Sequence, residues 1–174
     1  PGGSFRGAQQ VTISTQEEGA VIRYTPDGST PTSSSPQYTG PITVSKTTPI
    51  RARAFKDALL GSTTATTTYF IDVPHTLPIV SLVSDPDNLF GYERGIYTIG
   101  KGTDDSALGE SAQYKGANFW NDWEREAHFE YVQEDGKVGV SLDGGVKIFG
   151  AYSRKMDQKG LSFFARSRYG TDMI

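Results

Sequence analysis

The chain reads as mainly β, a small antiparallel sandwich followed by a β-rich α+β part, and three observations predict this. Residues 1–72 hold short β-branched or alternating runs between Gly, Pro and Asp turn signals, with no helical period. The segment Asp72-Val73-Pro74-His75-Thr76, with Pro78 just beyond, makes a short, stiff hinge. After it, period-2 runs return around a single capped helical turn. With 174 residues the chain can form one large or two small domains. The expected division is 1–72, a hinge at 73–76, and 77–174.

In the first part, Val11, Ile13 and Thr15 alternate with Thr12 and Ser14, and Val21, Arg23 and Thr25 with Ile22 and Tyr24. Residues 26–31 form a tight turn, in which proline presets φ and Asp27-Gly28 tolerates reversed dihedrals. Residues 42–44 give a third strand, 50–55 a fourth, and 64–71 a fifth dominated by β-branched residues. Residues 57–62 read as a hairpin loop.

In the second part, residues 77–83 are a mostly apolar strand with Pro78 near its start. Ser84 or Asp85 caps a helical turn opened by Pro86. Residues 96–99 are expected as a strand and 100–118 as a polar surface loop, with Trp120 and Trp123 anchoring its far end. Residues 127–132 alternate into a strand, Glu134-Asp135-Gly136 is a hairpin turn, and 138–140 begin the return. Residues 145–150 and 160–167 are two more strand-like runs joined by a polar segment. His128, out of phase with Phe129 and Tyr131, is expected to face solvent, and His75 lies in the hinge. With no further partner, neither histidine supports a triad.

Charge excludes some functions. The formal net charge of −3 argues against a general nucleic-acid binder. There is no cysteine, hence no disulfide framework and no thiolate chemistry. No apolar run approaches the roughly 18 residues of a membrane span. The charge is uneven: residues 85–143 carry five cations and thirteen anions, whereas 145–170 carry Lys147, Arg154, Lys155, Lys159, Arg166 and Arg168 against Asp157 alone. Such a cationic cluster in an acidic protein suits an anion, and phosphate is the usual one. The alternative is strand-edge cations that keep a sheet soluble. A chain that begins Pro1-Gly2-Gly3 and stops just past a strand reads as a fragment.

Particular words are more specific than these patterns. Thr12-Ile13-Ser14, Gly19-Ala20-Val21-Ile22-Arg23-Tyr24-Thr25, Asp27-Gly28-Ser29-Thr30-Pro31, Tyr38-Thr39-Gly40-Pro41-Ile42 and Ile50-Arg51-Ala52-Arg53-Ala54-Phe55 occur in order. Together they resemble the chitobiase/β-hexosaminidase C-terminal-type domain. That resemblance implies an immunoglobulin-like β-sandwich, usually an accessory module of secreted bacterial enzymes and surface proteins with no catalytic residue of its own. Tyr24 and Tyr38 could stack on sugar rings there; otherwise both are ordinary sandwich residues.

Further on, Leu77-Pro78-Ile79-Val80-Ser81-Leu82, Asp85-Pro86-Asp87-Asn88-Leu89-Phe90 and Gly95-Ile96-Tyr97 resemble the opening of the spore-coat-protein-H-like (CotH) kinase family. So do Trp123-Glu124-Arg125-Glu126, Asp135-Gly136, Gly145-Val146-Lys147-Ile148-Phe149-Gly150, Ser153-Arg154 and Gln158-Lys159-Gly160-Leu161. Gly160 departs from the serine more usual in the family after that lysine. The resemblance covers only the family's amino-terminal portion and implies a β-rich α+β fragment like a kinase N-terminal lobe. It implies a parent that uses ATP and Mg, with Lys159 and Arg154 as anion contacts. Gly150 and Ser153 would let the backbone approach the nucleotide, and Glu130 or Glu126 would pair with the lysine. The groups that hold Mg and the acceptor hydroxyl would follow residue 174, so the fragment carries no catalytic residue and no cofactor of its own.

Asp85, Asp87, Asn88, Asp104 and Asp105 offer oxygen ligands, but without EF-hand spacing they read as a cap and a solvated loop rather than a metal site. The expected function is therefore a fragment of a secreted or surface bacterial CotH-like atypical protein kinase, inactive as cut. The alternative is a non-enzymatic carbohydrate- or protein-binding accessory module of an extracellular bacterial protein. Expected partners are a secreted protein substrate or a cell-surface glycan, with no nucleic acid and no membrane span, for a chain expected to be monomeric.

Overall fold

The computed structural model describes residues 1–102 and 114–170. The fold is mainly β. Among the described residues ten strands run β1 (Gly3–Phe5), β2 (Gln9–Val11), β3 (Val21–Thr25), β4 (Ile42–Val44), β5 (Thr48–Phe55), β6 (Ala65–Ile71), β7 (Ile79–Val83), β8 (Arg125–Val132), β9 (Val138–Phe149) and β10 (Gly160–Phe164). One short helix, α1 (Pro86–Phe90), follows β7. They make sheets of order β1-β6-β5-β3, β2-β4 and β10-β9-β8-β7. Among the described residues no helix is long and apolar enough to cross a membrane.

The chain forms two compact units, Pro1–Val83 with His128–Ser141, and Ser84–Ala127 with Leu142–Ile174. The first unit thus includes residues 73–76 and β7, besides the sandwich.

Within the first unit, β5 pairs antiparallel with β3 and β6, and β1 adds parallel to β6. The β2–β4 pair makes the other layer. Val11, Val44, Ile50, Tyr69 and Ile71 fill the core, with Phe5, Ile13 and Ile42 packed against it. Burying each such aliphatic side chain stabilises by about 1.5–3 kcal/mol. Arg51, which alternates with Ile50, is also buried, and donates to Gly28 O at 2.9 Å and Thr30 Oγ1 at 3.1 Å. It therefore fastens the tight turn at 26–31. β1 carries no sequence signal of its own, because three residues beginning with glycine show no alternation.

β7 pairs antiparallel with β8, with Ile79 opposite Val132 and Val83 opposite His128. The packed face of β8 is the one bearing His128, Glu130 and Val132, while Phe129 and Tyr131 are only half-buried. This corrects the expectation for His128: it is 7% exposed, with Nε2 3.1 Å from Ser141 Oγ. The alternation holds, and the inward face is the one bearing His128 rather than the aromatic one.

In the second unit, Asp85 caps α1 by accepting from Asp87 N–H, and Pro86 opens the helix. Ser84 instead donates to Glu126 O at 2.6 Å and accepts from Asn88 Nδ2. Residues 96–99 are not a strand. The amides of Ile96 and Tyr97 return to Asn88 O and Leu89 O, folding the segment back on α1 and burying Ile96. Gly95 permits this reversal, since a Cβ would lie 2.6–2.7 Å from the carbonyl oxygens of Gly91 and Leu89. The expected runs at 138–140 and 145–150 are one strand of 12 residues, β9, continuous through Asp143-Gly144-Gly145. β10 ends at Phe164, earlier than expected, and Ser167–Tyr169 forms a 3-10 turn closed by Gly170.

Candidate functional site

Two groups of side chains in the second unit divide the cationic stretch 145–170 between them. The first lies around Phe119, in the 3-10 turn Asn118–Trp120. Arg154 donates from Nε to Gly150 O at 2.6 Å and from a terminal nitrogen to Phe119 O at 3.0 Å. Lys159 sets its ammonium 4.7 Å from the Phe119 ring centre and 5.2 Å from that of Tyr97, and donates to Met156 O at 2.5 Å. Its amide donates to the Tyr97 hydroxyl. Burial pushes the Lys159 ammonium below its ordinary pKa, with nearby Asp157 opposing. Ser153 lies against the open side of Gly150, whose φ is +114°. The structure therefore brings Lys159, Arg154, Ser153 and Gly150 together.

Lys159 finds rings and a carbonyl as partners, and neither candidate glutamate is among them. Glu130 is 1% exposed in the first unit, where it accepts from Thr68 N–H at 2.8 Å and Thr67 Oγ1 at 3.0 Å. Thr68 also shares a hydrogen bond with Ser81 at 2.8 Å, so this buried set ties β6 to β7 and β8. Burial, and secondly the Glu130 carboxylate, raise the Tyr69 phenol pKa. Glu126 is exposed and offers its main-chain carbonyl to Ser84. Tyr24 and Tyr38 are half-buried, and their amides donate to Pro36 O and Ile22 O. Asp85 caps α1, Asp87 lies 3.7 Å from Arg94, and Asn88 accepts from Arg94. Asp104 and Asp105 lie outside the described residues.

The second group surrounds Glu124, just ahead of β8. Arg166 Nε reaches both of its oxygens at 3.1 and 3.2 Å, the Tyr169 hydroxyl donates at 3.1 Å, and Arg168 makes a further contact. Burial alone would raise the Glu124 pKa, but these donors outweigh it and hold the carboxyl below its ordinary value. Gly145 on β9 makes the room: a Cβ there would lie 2.6 Å from Glu124 Cγ and Cδ. Lys147, two residues on, pairs with Asp122 and lies 5.8 Å from the Phe164 ring centre. The bond from Lys147 lowers the Asp122 pKa. Arg125 covers the Trp123 ring at 4.8 Å and donates twice to Arg94 O. Asp122, Trp123, Glu124, Arg125, Lys147, Arg166 and Arg168 line an open polar cleft of about 550 Å³.

Sequence reasoning counted Lys147, Arg166 and Arg168 but did not single them out. The signal was a cation surplus in 145–170 beside an anion surplus in 85–143, which Glu124 and Asp122 partly discharge. A larger hollow of about 840 Å³ in the first unit is lined by Arg6, Asp72, His75, Glu134 and Asp135 among others. Its polar groups are largely engaged locally: Asp72 accepts from Gly7 N–H, His75 meets Leu77 O, and Asp135 pairs with Lys137. The Glu124 cleft, with cations facing a shared space, is the stronger site.

Comparison with known families bears on the sandwich. Residues 1–68 match the chitobiase/beta-hexosaminidase C-terminal domain. The match runs from β1 into β6, through the immunoglobulin-like sandwich. Searches of curated proteins and of solved structures gave no match.

Proposed function

We propose that the chain is a non-enzymatic binding part of a secreted or surface bacterial protein, with the immunoglobulin-like sandwich as its accessory module. The observation that carries this reading is the local use of the kinase-type residues. Arg154 is spent on two main-chain carbonyls, Lys159 on a carbonyl and two rings, and Glu130 on the sandwich strand β6. The likeness of residues 1–68 to an accessory domain supports it further.

A second reading, the amino-terminal portion of a CotH-like kinase whose parent uses ATP and Mg, is favoured by the convergence of Lys159, Arg154, Ser153 and Gly150 on one place. Calorimetric titration of the full chain with a non-hydrolysable ATP analogue and Mg²⁺ separates the two. The binding-module reading expects no saturable heat that depends on Lys159. Saturable binding abolished by Lys159→Met would replace it with the kinase reading.

A further inference from the structure

We propose that the Glu124 cleft is a binding site for one tetrahedral oxyanion, a phosphoryl or sulfuryl group carried by the ligand. This goes beyond the binding-module reading and does not depend on the nucleotide question. Four cations, Lys147, Arg125, Arg166 and Arg168, line the cleft against two carboxylates, Asp122 and Glu124. The surplus of two positive charges is what a dianion neutralises.

The two carboxylates play different parts. Glu124 has a side chain only 10% exposed and takes three donors, so it acts as a fixed post that aims the guanidinium groups. Its bonds use Nε of Arg166 and one terminal nitrogen of Arg168, while among the described residues no acceptor takes the further N–H groups of either fork, which are left for an incoming oxygen. Asp122 is 79% exposed at the rim and holds Lys147, whose own side chain is 22% exposed. An oxyanion entering the cleft takes Lys147 from Asp122, which swings into water at little cost. Donors then approach from β9 through Lys147 and from beyond β10 through Arg166 and Arg168. That spread of directions suits a tetrahedral group better than a planar carboxylate. Gly145 keeps the arrangement possible, because any side chain there evicts Glu124.

The test is titration of the full chain with inorganic phosphate and, separately, sodium sulfate, at constant ionic strength against sodium chloride, read by amide chemical shifts. Saturable shifts at residues 145–147 and 166–168 are expected with at least one oxyanion and not with chloride. Affinity that rises as phosphate becomes dianionic, with sulfate weaker, identifies the phosphoryl source; tighter, pH-independent sulfate binding identifies the sulfuryl source. Asp122→Asn, at an exposed position, should tighten binding severalfold by removing the competitor for Lys147. Lys147→Gln should weaken it at least about tenfold, the size of one lost charge-assisted contact. Lys159→Met should leave it unchanged, which separates this site from the nucleotide reading. Equal responses to chloride and both oxyanions, or indifference to Asp122→Asn and Lys147→Gln together, overturns the proposal.

Discussion

Glu124 and Glu130 stand six positions apart on one stretch of chain, and their surroundings have little in common. Glu130, in the first unit, is 1% exposed and accepts from the Thr68 amide and the Thr67 hydroxyl, with the buried His128 ring nitrogen 4.0 Å from one of its oxygens. Glu124, in the second unit, meets two guanidinium groups and a phenol beside an open polar cleft. The first is a seam: it satisfies donors of β6 that would otherwise be buried unpaired. The second is an electrostatic post beside cations that keep bonding capacity to spare. The difference teaches that a buried carboxylate marks a binding site only when its partners retain valence toward solvent, which neutral main-chain donors do not.

The comparison breaks most sharply at Glu130. Glu130→Ala leaves the Thr68 amide and Thr67 hydroxyl without their acceptor and opens a cavity, so unfolding in urea should show a loss of about 3–4 kcal/mol. Glu130→Gln, which keeps one acceptor oxygen, should lose about half of that. A loss below about 1 kcal/mol for the alanine variant would mean that the seam contributes little. Next in size is Gly145→Ala. The methyl group occupies the space of the Glu124 side chain, and about 2 kcal/mol should be lost as overpacking displaces it. The oxyanion response should vanish in the same variant. Glu130→Gln, by contrast, should leave that response intact.

How much of this was legible in the sequence follows from the same two residues. Strands β3 to β6 and the cap at Asp85 could be read because each is encoded locally, by alternation or by a side chain that bonds its own neighbours, whereas the run expected at 11–15 keeps only Val11, at the end of β2. The burial of His128 and Glu130 could not, since polar residues at period 2 look like a solvent face until Thr67, Thr68, Ser81 and Ser141 are brought to them by distant chain. The turn at 96–99 was hidden because Ile96-Tyr97-Thr98-Ile99 has strand composition, and only its amides returning to α1 decide otherwise. For the cleft, the excess of cations in 145–170 was visible, but Arg166 and Arg168 lie 42 and 44 residues from Glu124, a separation that no local pattern spans.

Glu124 gives the pH dependence its sign. Its folded pKa lies below the unfolded value, so its contribution is fully present above the unfolded value, about 4.3, and is lost as pH falls through the folded one. Glu124→Gln should therefore lose about 1 kcal/mol near neutrality, a modest amount because both guanidinium partners are about half exposed. The gap between variant and wild type should close on acidification. Asp122 and Asp135 are lowered by their lysines as well, so the stability of the variant still falls in acid. A gap that stays constant from pH 7 to pH 3 would remove Glu124 as an ionised post.

The smallest effect is expected at Lys159, and its smallness is informative. Its ammonium gains from the faces of Phe119 and Tyr97 and from Met156 O, but burial works against the charge, as the lowered pKa records. Methionine keeps the length and the ring contacts without the charge, so Lys159→Met should change stability by no more than about 0.5 kcal/mol in either direction. A lysine retained only as a structural plug gives that result. If the ammonium instead anchors the 3-10 turn Tyr152–Lys155 through Met156 O, the variant loses more than 1 kcal/mol, and amide exchange near Met156 rises with it. In that case the second unit, like the first, would contain a polar seam, though a more exposed one, and the contrast drawn from Glu130 and Glu124 would belong to two residues rather than to two regions.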